Sequence, residues 1–308
     1  MTATVISLSY NSKDLLRSIN SVIHQSYPDI EYIIIDDGSA EFDMKGISDY
    51  VIKNKSASIK KFTVLVNEKN MGTVYTVNRA IKASCGEYIF NLGGDDRFCD
   101  NEVIADWVKF FTDTGALVST AKMAVCQNGE YMWEQPSQQQ IEEIKTFTPE
   151  QLFNSIAVCN YIFGCCTARS RACIEKYGLF DERYRYIEDH SMNLRLLRNG
   201  VKFHFFDRAV VDYSIGGISS PTVHNELFEK DVNEVFRNEA LPYVQSPEKA
   251  LRDFKRFNKE KRSAYDQYRY FERLKKCGDS SVKKALVKLA HYLAHPVELL
   301  KRLAKKDK

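Results

Sequence analysis

This chain of 308 residues lacks the signatures of several common nucleotide-binding and metal-binding folds. No G-x-G-x-x-G follows its first strand-like run, and no Walker A loop occurs anywhere. A Rossmann dinucleotide site and a P-loop NTPase are therefore excluded. Its eight cysteines show no paired C-x-x-C spacing. No zinc ribbon is expected, and the thiols are read as buried and reduced in a cytosolic protein. A net charge of only +3 gives no general nucleic-acid signature. The first residues, Met-Thr-Ala-Thr-Val-Ile-Ser, lack the basic and apolar regions of a signal peptide. The longest uncharged run, 151–168, holds two Asn, a Gln, a Ser and a Gly. It reads as a buried helix and strand and not as a membrane span. No internal repeat or low-complexity segment is visible.

What is present is a globular composition, 44% hydrophobic and 28% charged, and a regular alternation over the first hundred residues. Runs 4–8, 32–35, 62–66 and 88–92 are apolar and rich in β-branched residues, as expected of buried parallel strands. Helical spacing separates them: Leu15, Ile19, Val22 and Ile23, then a helix over 73–83. Asn11 or Ser12 is placed to cap the first helix. Such alternation builds a parallel sheet with helices on both faces. Three of the strands end in polar clusters: Ser9-Tyr10-Asn11, Asp36-Asp37-Gly38-Ser39 and Gly93-Gly94-Asp95-Asp96. In a doubly wound sheet these ends share one rim, where ligands bind. Adjacent aspartates repel unless a cation or donor-rich ligand lies between them. A solvated Gly-Asp turn is the plainer reading of any one cluster; three on one rim, with Asn70 and Gly72 after the third strand, favour a nucleotide and metal crevice.

Beyond residue 101 the pattern changes. A helix over 102–112 leads to a hairpin around Asn128-Gly129. A short helix over 171–177, an amphipathic helix opening at Glu188-Asp189 and ending at Gly200, and two short strands, 201–206 and 209–213, follow. Acidic residues at a helix N-terminus complement its dipole; the functional alternative makes one of the pair a base facing the crevice. His190 is expected on the helix surface. Residues 222–275, charged and aromatic, are expected to form helices on the catalytic domain. The segment 281–308 carries +6, leaving −3 in the rest of the chain. Val282, Ala285, Leu286, Leu289 and Leu293 form its apolar stripe. Its two readings are a docked helix and a basic amphipathic helix on an anionic membrane.

The motifs, in order, resemble a family 2 glycosyltransferase of the GT-A fold. They are Val5-Ile6-Ser7-Leu8-Ser9-Tyr10-Asn11, Ile35-Asp36-Asp37-Gly38-Ser39, Asn70-Met71-Gly72 with Asn78, Gly86-Glu87-Tyr88-Ile89, Asp95-Asp96, Gly178-Leu179-Phe180-Asp181-Glu182 and Glu188-Asp189. The resemblance covers about 4–220. It implies a Rossmann-like, mixed but mainly parallel sheet with helices on both faces and a C-terminal helical extension. The implied divisions are a donor half over 1–100, an acceptor half over 101–221 and an extension over 222–308.

By resemblance the enzyme moves a sugar with inversion from a nucleotide-sugar donor to a glycan or polyprenyl-linked acceptor, in cell-surface polysaccharide synthesis. Ser9, Asn11, Asp37, Gly72, Asn78 and Asp95 would bind the donor, with Asp37 receiving the base. Asp96 would ligate Mn²⁺ or Mg²⁺, and Asp189 would be the catalytic base. The expected location is cytoplasmic, peripheral at the inner face of the plasma membrane. Gly93 stands where the family often has Asp, Leu8 where many members have Pro, and Val77 where many have Arg. A sugar-1-phosphate nucleotidyltransferase is the alternative enzyme, but it should carry a basic Gly-rich loop where Ser9-Tyr10-Asn11-Ser12 has only Lys13 nearby. A catalytically inactive relative is the third reading, against which Asp96 and Asp189 stand.

Overall fold

The computed structural model describes residues 1–127, 129–217, 225–276, 283–284 and 287–288. The chain opens with β1 (Ala3–Ser9), α1 (Leu15–Ile23), β2 (Ile30–Asp36), α2 (Met44–Asn54), β3 (Ile59–Val66), α3 (Thr73–Ala83) and β4 (Tyr88–Gly93). All seven residues of β2 are buried, which requires cover on both faces. The helices supply that cover: α1 turns Leu15, Ile19, Val22 and Ile23 inward. Then come β5 (Arg97–Phe98), α4 (Val103–Thr114), β6 (Val118–Gln127), β7 (Glu130–Gln135), α5 (Gln138–Thr146), α6 (Pro149–Ile156), a 3₁₀ turn (Gly164–Cys166), β8 (Thr167–Ser170), α7 (Arg171–Tyr177), α8 (Glu188–Arg198) and β9 (Phe203–Ser214). After these lie α9 (Glu226–Val235), a π-helical turn (Phe236–Ala240) and α10 (Pro247–Lys276).

The strands form one sheet in the order β3-β2-β1-β4-β8-β6-β9-β5, with β7 paired to β6. β3, β2, β1 and β4 are parallel, as are β6 and β9; the remaining pairs are antiparallel. This is the mixed, mainly parallel sheet that the resemblance implies. Aromatic packing ties β4 to α4: Phe90 meets Trp107 edge-on at 5.3 Å, and the Trp107 indole donates to Ser119 Oγ at 2.9 Å.

The chain divides into two compact units, one of residues 1–215 with 225–253, the other of 216–224 with 254–308. Among the described residues no helix is long and apolar enough to cross a membrane. The basic stripe over 281–308 lies almost entirely outside the described residues, as does Cys277.

Three local expectations are corrected. Neither Asn11 nor Ser12 caps α1, which starts after Asp14 without a side-chain cap; both residues are engaged in the loops of the rim. The strands expected over 201–206 and 209–213 are one strand, β9. Asp207 and Arg208 sit at a register shift opposite Lys122 and do not turn the chain. Asp207 pairs with Lys122 and Lys145 at 2.8 Å each, and Arg208 with Asp100 at 2.6 Å, so both charges are met without leaving the strand. The thiols are not uniformly buried: Cys85 and Cys159 are exposed.

Candidate active site

The rim is built by backbone register. Ser9 sits opposite Asp36, and Leu8 opposite Gly93. Asp37 N donates to Ser9 O (2.8 Å), Asn67 N to Asp36 O (2.8 Å) and Gly94 N to Leu8 O (2.7 Å). These bonds continue the ladder one step past the strands and bring four carboxyl ends together. Asn11, in the left-handed region at φ 50°, donates its amide to Ser39 Oγ at 2.7 Å. Ser39 in turn is held by Asp36 through its amide (2.7 Å) and hydroxyl (2.6 Å). A cavity of about 440 Å³ opens beside these loops, lined by Ser9, Asn11, Lys13, Leu16, Ser39 and Phe42 among others.

The Gly93-Gly94 turn is pinned from below. Ser12 Oγ donates to Gly94 O at 2.7 Å, and Ser18 Oγ to Gly93 O at 3.1 Å. Above it the two carboxylates converge. A Cβ added to Gly93 would lie 2.7 Å from Asp96 Oδ2 and 3.0 Å from Asp95 Oδ1. The absent side chain thus leaves a small space flanked by two carboxylate oxygens. Asp96 is buried, and Ser214 N donates to its Oδ1 at 2.9 Å. Ser214 Oγ also donates to Asp95 O at 2.7 Å. Burial, and then the charge of Asp95, raise the Asp96 carboxyl above the ordinary range. Two oxygen donors converging on one space, poorly compensated by the protein, suit a hard divalent cation that takes its remaining ligands from phosphate and water. Among the described residues no cluster of three or more His, Cys, Asp or Glu could hold a metal by itself.

Asp37 is buried and fully engaged by the protein. Its carboxylate accepts from Asn67 Nδ2, Met71 N, Gly72 N and Thr76 Oγ1, each at 2.8 Å. Gly72, at φ 92°, leaves no room for a side chain: a Cβ would lie 2.3 Å from Arg185 Cγ. Asn78 is engaged by the segment over 178–182. Buried in α3, it donates to Phe180 O (2.9 Å) and Glu182 (2.9 Å), and accepts from Phe180 N (3.0 Å). It holds the Gly178-Leu179-Phe180-Asp181-Glu182 segment against α3.

The second carboxylate pair opens α8. Asp189 Oδ2 accepts from Asn160 Nδ2 and Gly164 N at 3.1 Å each, and its Oδ1 accepts from His190 N at 2.6 Å. Three donors orient it. Burial raises its pKa, and the buried Arg169 of β8 pulls the other way. Glu188 is raised by burial first and by Asp189 second. Gly164 makes space here too, since a Cβ would lie 2.8 Å from Glu188 Oε1. His190 is not on the surface. It is 9% exposed, its Nε2 lies 2.9 Å from Ile156 O, and burial lowers its pKa to about 4. It is a neutral core imidazole.

Sequence reasoning did not single out Asn160, Gly164 or Ser214. The available signal was a polar amide and a glycine inside the uncharged run 151–168, and a serine ending a strand.

A model described as "Glycosyl transferase family 2" matches residues 4–178 of the chain. TuaG of Bacillus subtilis, named as a candidate teichuronic acid biosynthesis glycosyltransferase, is 26% identical over 215 residues, covering 69% of this chain and 78% of TuaG. Residues 1–349 of Staphylococcus aureus TarS, solved with UDP-GlcNAc, superpose with a TM-score of 0.60 at 19% identity, covering 87% of this chain and 79% of that one. Against the longer TarS chain the match spans 44% of its length. A mannosyltransferase from Pyrobaculum calidifontis, solved with GDP-Man and Mn²⁺, gives a TM-score of 0.55 at 14% identity, over 95% of this chain and 80% of that one.

Proposed function

The chain belongs to glycosyl transferase family 2, and on that premise we propose that it transfers a sugar, with inversion and with the help of a divalent metal, from a nucleoside-diphosphate sugar to a hydroxyl of a glycan or polyprenyl-linked acceptor in cell-surface polysaccharide synthesis. The observation that carries this reading is the pairing of two unlike carboxylate sites. Asp95 and Asp96 converge on an open space on the sheet rim, while Asp189 is oriented by three hydrogen-bond donors at the head of α8.

Asp96, assisted by Asp95, would hold Mn²⁺ or Mg²⁺, which neutralises charge on a departing diphosphate. Ser9 and Asn11 line the nucleoside side of the crevice. Asp37, expected to receive the base, also accepts from Met71 and Gly72 and so fixes the loop that follows β3. Asp189 removes the proton from the acceptor hydroxyl, a contribution of about 10²–10⁴-fold for a positioned base. A single base acting opposite the leaving group gives in-line attack and inversion.

The teichuronic acid relative supports a polysaccharide product, and the UDP-GlcNAc and GDP-Man neighbours support a nucleotide-sugar donor. A thermal-shift panel of UDP-, GDP- and TDP-sugars with and without Mn²⁺ tests this. One nucleotide class should raise the melting temperature by a few degrees, and more with Mn²⁺. Silence from every nucleotide sugar at millimolar concentration would remove the proposal. A peripheral location at the inner face of the plasma membrane rests on the basic segment 281–308. Deleting that segment should reduce sedimentation with anionic liposomes and leave nucleotide binding intact; equal sedimentation would remove the membrane role.

A further inference from the structure

The strap over 183–187, which leads directly into Glu188 and Asp189, is held by carboxylates from both sides: Asp181 accepts from the Arg183 amide and guanidinium, and two more carboxylates come from beyond β9. Asp231 of α9 is 5% exposed, and its Oδ2 accepts from both Arg185 N and Tyr186 N at 2.7 Å. Glu239, in the π-helical turn and 7% exposed, accepts from Arg183 Nη2 (2.6 Å), Tyr184 OH (3.1 Å) and Arg198 Nη2 (2.9 Å). π-turns of this kind re-aim side chains within a helix and recur at functional sites. The same strap grips the donor rim. Arg185 O accepts from Val74 N at 3.1 Å, and the Arg185 guanidinium donates to Asn70 O at 2.7 Å and to the Asn70 side chain. Met71 and Gly72, the next residues, bind Asp37.

Two consecutive backbone amides sharing one buried carboxylate oxygen is a specific arrangement. Among the described residues, Asp231 is the acceptor that both the Arg185 and Tyr186 amides use, while the nearer Asp181 is taken by Arg183. A loop carrying a catalytic base tolerates little displacement: about 1 Å of misplacement costs on the order of 10²-fold in rate. The donor rim, by contrast, has its own support through Asp37.

We infer that the segment 226–240 is part of the catalytic apparatus, with Asp231 a positioning residue that fixes the strap and thereby the approach of Asp189 to the acceptor. The inference rests on the assignment of Asp189 as base. It requires that loss of Asp231 act on turnover and not on donor binding. It also requires that Asn, which keeps an acceptor oxygen for the two amides, substitute for Asp where Ala does not.

The experiment compares full-length wild type, Asp231→Ala and Asp231→Asn. Amide hydrogen exchange across 183–190 is followed without ligand. Nucleoside-diphosphate release by transfer of the sugar to water or to an added glycan hydroxyl is followed with the nucleotide sugar that gave the largest thermal shift, below the melting temperature of every variant. In Asp231→Ala, exchange at Arg185 and Tyr186 should rise about tenfold or more, and kcat should fall about tenfold or more with KM for the donor within about twofold. Asp231→Asn should restore both to within about threefold of wild type. A folded Asp231→Ala with wild-type kcat overturns the inference, as does a loss that falls on KM alone or an Asn variant no better than Ala. If wild type releases no nucleoside diphosphate from any donor, the functional reading fails, and unchanged exchange in Asp231→Ala would separately overturn the clamp.

Discussion

The two halves of the crevice are built by different means. On the proposed donor side, position follows from register: Ser9, Asp37, Asp95 and Asp96 each stand at or just past the end of a parallel strand, and backbone ladders place them. On the base side nothing comparable operates. Asp189 is oriented by Asn160 and Gly164 from a segment 25 to 29 residues away in sequence, and its approach strap is held by Asp231 from a segment beyond it. A side chain placed by sheet register can be removed without moving its neighbours unless, like Asp37, it also anchors a loop. One placed by long-range hydrogen bonds cannot. Mutations should therefore separate the two halves by whether they change chemistry, binding or stability.

The largest effect is expected at the base. Asp189→Asn retains the side-chain shape and one acceptor oxygen but cannot take a proton, so transfer should fall by about 10²–10⁴-fold with nucleotide binding unchanged. A turnover close to wild type would remove Asp189 from the mechanism. Next comes Asp96→Ala, which should also nearly abolish transfer but through the donor. Nucleotide affinity in Mn²⁺ should fall to the level measured in chelator, and titration calorimetry with and without the metal reads this directly. If Asp96→Ala preserves the metal-dependent increment, the ligand lies elsewhere.

Asp37→Ala sharpens the contrast from the other direction. It leaves four buried donors without their carboxylate, and breaking such a network costs about 3 kcal/mol or more. The expected result is a lower denaturation midpoint with residual transfer, whereas Asp189→Asn should melt near wild type. Equal midpoints for Asp37→Ala and wild type would show that the loop over 67–72 is held by something else.

The donor half was legible because strand, turn and glycine each leave a local mark. Four continuous apolar runs located β1 to β4, α3 over 73–83 and α7 over 171–177 fall where their spacing placed them, and polar strand ends marked the rim. α2 was not foreseen, since among its eleven residues only Val51 is buried and no apolar stripe announces it. β9 was divided because a charged pair within a strand reads as a turn until its partners, Lys122, Lys145 and Asp100, are in place. The contacts of Asn78 with Phe180 and Glu182 have no local mark either, since its partners lie more than a hundred residues distant. The role of Asp231 has no local signature at all, because what it binds is backbone.

Glu188 gives the smallest effect and tests whether the carboxylate pair carries strain of its own. Its pKa is raised in the folded protein, chiefly by burial and then by Asp189. A raised folded-state pKa means that the native state holds the proton more tightly than the unfolded chain. Its contribution to stability is therefore full below the unfolded value and is lost as pH rises through the folded one. Glu188→Gln, neutral at every pH, removes that loss. The variant and wild type should melt together only below the ordinary glutamate range, and the variant should melt progressively higher as pH rises from there through neutral, by about 1.4 kcal/mol for each pKa unit of the shift. Asp189, likewise raised by burial, must be ionised to accept a proton, so the acidic limb of the rate profile should lie above the ordinary aspartate range. A Glu188→Gln curve parallel to wild type across the whole pH range would mean that the pair is solvated and that burial at the head of α8 does not tune the base.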